Sequence, residues 1–170
     1  MDDKRAMLCH FLASIAYRTQ KAVRNAPMDF NSFAAGSDVR TPVELVRHMT
    51  SVLGYARTFF VGGKYSPEPL PDIEAELERF HEVISDLAEN IRSGSKFLNT
   101  TPERLLQGPL ADAMTHAGQL AMLRRLAGHP VPPENFILAD IDAGRLGKDQ
   151  PEPISPDEIW PEAPKPGVGR

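Results

Sequence analysis

One cysteine, one tryptophan, aromatics at 7% and no apolar run of membrane length restrict what this 170-residue chain can do before any motif is considered. A lone Cys9 cannot close an intrachain disulfide, so the fold makes no use of an oxidising compartment, and a cytoplasmic location is the default expectation. No apolar stretch approaches the roughly 20 residues needed to span a bilayer, which argues against a membrane partner. Residues 1–17 begin with charges and turn apolar, but "LCHFLASIAY" is interrupted by His10 and continues amphipathic, so it does not read as a signal peptide. Stacking rings are too sparse for a single-strand binder, and the 19 Lys and Arg are scattered in a chain of net charge -4 and pI near 5.7. Nucleic acid is therefore not an expected partner. Also missing is the period-two alternation of half-buried strands.

Helical periodicity is present four times, each with its own punctuation. The first pattern runs from about Asp2 to Asn25 with Leu8, Phe11, Ile15, Ala22 and Val23 on its apolar side, and stops near Pro27. The second has Thr41 as N-cap, Pro42 at the first helical position and Glu44 to complete a capping box; its stripe is Leu45, Met49, Val52, Ala56 and Phe59, ending before Gly62-Gly63. In the third, Ile73, Leu77, Phe80, Ile84, Leu87 and Ile91 recur at alternating spacings of four and three, with Glu and Arg on the wet side. A short turn in "TPERLLQ" precedes Gly108-Pro109, which opens the fourth helix, and Gly128 stops it. These patterns predict an all-α four-helix bundle over residues 1–135. Nine of the 16 prolines lie in the last 42 residues, so a Pro-rich, largely irregular extension over 136–170 is expected. Within it "NFILADIDAGRL" is apolar enough to pack back on the bundle, and Ile159 and Trp160 are candidate anchors on the chain itself or on a partner subunit.

The histidines separate by helical position. His10 shares a face with Ser14, Tyr17 and Lys21, a boundary or solvent face; His81 lies off the apolar stripe and reads as exposed; His129 follows a helix end. His48 is different, because Leu45, Val52 and Tyr55 surround it at helical spacing and place an ionisable ring toward the core. On the fourth helix nearly every residue from Leu110 to Leu123 is apolar or small, yet Asp112, His116 and Gln119 stand on one stripe, which continues as Leu123 and Leu126. All-round burial of this helix would leave Met114, Gly118 and Ala121 to pack on a second subunit, so a homodimer is expected. An Asp and a His one turn apart can converge on one ion, and His48 from the facing helix supplies a third ligand with open positions for water or substrate. Such a set suits zinc, nickel, iron or manganese. The same three residues also suit a buried hydrogen-bonded cluster that fixes helix register.

"TPVELVRHMTSVLGYA", "LLQGPLADAMTHAGQLAMLRRLAGHPV" and "ENFILADIDAGRLGKDQ" together resemble the DinB-like superfamily, also called the DinB/YfiT metalloenzymes, over residues 1 to about 150. That resemblance implies a four-helix bundle with a long crossover between the second and third helices, a homodimer, and a metal held by one His of the second helix and a His-x-x-x-His pair of the fourth. The second-helix ligand matches His48 and the last matches His116, while the remaining position carries Asp112 where relatives commonly have His. It further implies a divalent metal that activates a water or a low-molecular-weight thiol cofactor for hydrolysis or thiol S-transfer on a small-molecule substrate, with Gln119, Glu44 and Tyr55 lining the pocket or supporting the ligands. The competing expectation is a non-catalytic, stress-associated dimerising module in which the polar cluster serves packing alone.

Overall fold

The computed structural model describes residues 1–161 and 163. Its elements are α1 (Asp3–Val23), a 3₁₀ turn (Met28–Ser32), α2 (Pro42–Val61), α3 (Ile73–Arg92), a one-turn α4 (Pro102–Leu105) and α5 (Ala111–Leu126). The expected all-α bundle is present, and the one β-type pairing among the described residues is the isolated bridge between Glu134 and Pro156. Helix starts follow local chemistry. Asp2 accepts from the Arg5 N–H at 3.0 Å and Asp72 from the Ala75 N–H at 2.9 Å, while Glu44 accepts from both the N–H and the hydroxyl of Thr41 at 2.8 Å. α2 stops at Gly62, whose φ of +75° is disfavoured for other residues. Between α4 and α5 the chain stays coiled through a π-type turn (Leu106–Leu110), broken at Gly108, because the proline that follows it disfavours helical backbone there.

Side-chain pairs fix the helix directions. Arg47 meets Glu76, Arg57 meets Asp86, and the Leu98 N–H reaches the Phe59 carbonyl, so α2 and α3 run parallel. Arg5 near the start of α1 donates to Ile91 near the end of α3, which makes that pair antiparallel. Arg124 at the end of α5 donates to the Ala22 carbonyl at the end of α1, so those two are parallel. Parallel α2 and α3 force residues 62–72 to travel the length of the bundle: at about 3.3 Å per residue they cover the roughly 30 Å of a 20-residue helix. Glu76 ties this crossover down. Its carboxylate is fully buried and accepts from Arg47 Nε at 2.6 Å and from the Leu70 N–H at 2.8 Å, whereas its sequence neighbourhood places it on the wet face. Tyr65 of the crossover lies against Gly54, where a Cβ would fall inside its ring.

Leu12 and Ile15 of α1, Met49 and Leu53 of α2, Phe80, Ile84 and Leu87 of α3, and Leu110, Ala113 and Leu120 around α5 are fully buried. Each large one contributes about 1.5–3 kcal/mol relative to exposure. The all-round burial expected of α5 is not what folds. Its Asp112, Thr115, Gly118 and Gln119 face outward, and Met122 and Leu126 are 49% and 58% exposed, because α5 has helices on two sides only. The small-residue face around Gly118 and Ala121 borders the chain's own residues 131–136. The extension does pack back: Phe136 meets Tyr17 edge-on and Leu146 is buried. That packing also corrects the reading of His81. The ring is largely covered, with Nδ1 on the Leu146 carbonyl at 2.8 Å, so it is not an exposed side chain. Of the two candidate anchors, Trp160 is partly buried and Ile159 is 93% exposed on this chain.

Candidate metal centre between α2 and α5

The cap at Thr41 sets the start of α2, and the antiparallel approach of α5 brings His48, in the second turn of one helix, to His116, in the second turn of the other. Their rings meet edge to face with centroids 4.7 Å apart. Asp112, one turn before His116, adds a carboxylate whose Oδ1 lies 3.2 Å from His116 Nε2. One ligand atom from each of His48, Asp112 and His116 falls within 4.8 Å of the others. The structure thus brings together the three residues that sequence spacing singled out. It grades their environments: the His116 side chain is 10% exposed, Asp112 is 49% exposed and His48 is half-buried.

Gln119 does what a supporting residue should. Its Oε1 lies 2.8 Å from His116 Nδ1, and a carbonyl oxygen there places the ring proton on Nδ1. His116 Nε2 then presents a lone pair toward the Asp112 carboxylate, an arrangement that calls for a positive charge between or on them: an additional proton or a metal ion. The 3.2 Å separation is about the edge of a tetrahedron with ligands roughly 2.0–2.1 Å from its centre. His48 is held toward its neutral form, the form that ligates. Burial lowers its pKa most, with the Arg40 guanidinium and His116 acting in the same direction and Asp112 opposing them. On all these counts the residues present fit a divalent cation.

Glu44 and Tyr55, the other two expected pocket residues, both border clefts beside the group and have commitments of their own. Glu44 borders the same cleft as His48 but is committed to capping α2, and the Thr41 N–H and hydroxyl hold its carboxyl below the ordinary range. Tyr55 is 55% exposed, packs on Phe59 with ring centroids 4.9 Å apart, and borders the cleft that Asp112 lines. Two clefts that share Ser51 open beside the group, one reaching His48 and the other Asp112. One is bounded by Asp38, Arg40, Glu44, Arg47 and His48, the other by Val52, Tyr55, Gly108, Asp112 and Thr115. Sequence reasoning missed Arg40 and Ser51. Ser51 was findable as the residue one turn after His48, but Arg40 precedes the helix and no periodicity points to it.

The chain matches no protein-family model, no curated protein and no solved structure. A functional reading of this centre rests on its own geometry.

Proposed function

We propose that the protein is a metal-dependent enzyme in which His48, Asp112 and His116 hold one divalent ion, and that it acts on a small molecule by hydrolysis or by thiol transfer. The observation that carries this is the convergence of three ligand atoms within 4.8 Å, with His48 and Asp112 each bordering an open cleft and the buried ligand's other nitrogen fixed by Gln119. When bound, such an ion supplies Lewis acidity that brings a water or a low-molecular-weight thiol to its nucleophilic form near neutral pH. The chain's own contribution is to orient the ligands. Gln119 sets the His116 tautomer, Arg40 and partial burial keep His48 uncharged, and the half-exposed Asp112 offers an anionic ligand on the side where substrate enters. The DinB-like resemblance of the sequence supports the same reading and extends it to a homodimer, which sedimentation of the full chain tests directly.

A second reading is favoured by one contact. At 3.2 Å the His116 and Asp112 pair is itself within hydrogen-bonding range, as in a metal-free cluster that sets the α2 to α5 register. Metal analysis of protein purified without added metal separates the two. The enzyme reading expects close to one zinc, nickel, iron or manganese per chain, lost in His116→Ala and Asp112→Ala. Substoichiometric metal, together with a melting temperature insensitive to chelator, would sink it in favour of the structural cluster.

A further inference from the structure

On the other side of α5, away from the three candidate ligands, a cavity of about 210 Å³ lies between α1, α5 and residues 131–136. Arg18, Lys21 and Arg125 line it, against Glu134 as the one acid among its lining residues. Glu134 is fully engaged: one carboxylate oxygen accepts from the Tyr17 hydroxyl at 2.8 Å and the other from Lys21 Nζ at 2.9 Å. Arg18 is not. Its guanidinium carbon sits 3.7 Å from the centroid of the Phe136 ring, its Nε is buried with no hydrogen-bond partner, and it makes no hydrogen bond or ion pair among the described residues. Burial makes this arginine harder to charge than usual, with Glu134 only partly compensating.

A guanidinium held against an aromatic ring keeps its planar fork pre-oriented, and a buried polar group without a partner requires an explanation. The wall opposite is made by Ala117, Gly118 and Ala121, and a Cβ at Gly118 would meet nothing within 4 Å. The cavity therefore combines an uncommitted forked donor, the charge of Arg18 beside an already neutralised pair of Lys21 and Glu134, and room for a few heavy atoms. We propose that it binds the oxyanion group, carboxylate or phosphate, of a small molecule through Arg18. Lys21, already tied to Glu134, closes one side, and Phe136 positions the arginine without competing for its donors. This site is independent of whether His48, Asp112 and His116 hold a metal.

The test is calorimetric titration of the full chain with inorganic phosphate and, separately, with acetate, at constant ionic strength in chloride. The proposal expects saturable one-to-one binding of at least one of them, weakened about tenfold or more in both Arg18→Gln and Gly118→Leu, since a charge-assisted hydrogen-bonded pair accounts for at least that factor. Gly118→Leu keeps the arginine, fills the space and replaces a helical glycine with a better helix former, so it guards against a folding artefact at position 18. Phosphate binding alone assigns a phosphorylated ligand, and acetate binding alone a carboxylate. Absence of saturation by either ion overturns the proposal. So does binding that survives in either variant, because the anion would then sit elsewhere on the surface.

Discussion

α5 has two polar seams, and they are finished differently. Toward α1 the two most deeply buried charged groups are answered, Glu134 by Tyr17 and Lys21, and Arg124 by the carbonyls of Ala22, Arg24 and His129, with the less buried Arg18 as the exception. Toward α2 the imidazoles of His48 and His116 face each other at 4.7 Å beside a half-exposed carboxylate, with Gln119 fixing one nitrogen and two clefts opening onto the rest. Saturated groups specify a fold, since any rearrangement strands a charge. Incompletely satisfied groups next to open space are where a ligand gains most, because the protein has already met the cost of ordering them. The Glu134 and Arg124 network is therefore structural, while the α2 seam, like Arg18, keeps polar groups with capacity left for a ligand.

The sharpest way to break that contrast is to remove one partner on each side. Glu134→Ala leaves Lys21 and the Tyr17 hydroxyl buried and unpaired, and is expected to cost about 3–5 kcal/mol in denaturant unfolding. His48→Ala in metal-free protein is expected to cost under about 1 kcal/mol, as for a half-buried residue outside the core. Equal losses would mean that both seams are structural. Next in size is the metal itself. With free metal at a hundred times its dissociation constant, binding adds about 2.7 kcal/mol, which excess chelator should remove from wild type and should not remove from His116→Ala. A third effect isolates the scaffold that brings α2 into place. Gly54→Ala drives a methyl into the Tyr65 ring and should destabilise by about 2 kcal/mol, while Gly54→Ala combined with Tyr65→Ala should recover part of that loss.

The helices and their order were legible because caps and apolar stripes are local signals. Thr41, Pro42 and Glu44 mark α2, and Ile73 to Ile91 mark α3 without reference to anything distant. The candidate ligand set was legible for the same reason: Asp112 and His116 are one turn apart, and His48 is the other histidine flanked by apolar residues. What escaped was decided by chain segments far away in sequence. Glu76 looks solvated beside Glu74 and Glu78, and is buried because the crossover at Leu70 folds over it. α5 reads as greasy all round because alanine and glycine are small enough for either surface or core. Glu134, which closes the α1 seam, lies in a proline-rich stretch where no periodicity announces a buried acid.

The same long-range effect makes His81 a finer probe of how firmly the extension is bound. Its Nδ1 lies against the Leu146 carbonyl and so carries the ring proton, while Nε2 is buried with no hydrogen-bond partner among the described residues. A second proton would sit on Nε2 with no acceptor. Burial accordingly lowers the pKa below 6.5; the Leu146 carbonyl and Asp149 oppose that shift, and Lys148 adds to it. A histidine whose folded-state pKa is depressed contributes stability in full above its unfolded value, and that contribution is lost as the pH falls through the folded one. Stability should therefore decline as pH drops from near 6.5, before acid reaches Glu103, whose carboxyl is held down to about 2 by Lys4. His48, also depressed, titrates in the same direction, so the informative measurement is the difference between proteins. In His81→Asn, whose amide keeps a donor but cannot be protonated, unfolding free energy should fall less steeply between pH 7 and 5 than in wild type. Parallel slopes would mean that the folded ring takes up its second proton as readily as the unfolded one, and that the extension over Leu146 opens more readily than its packing implies.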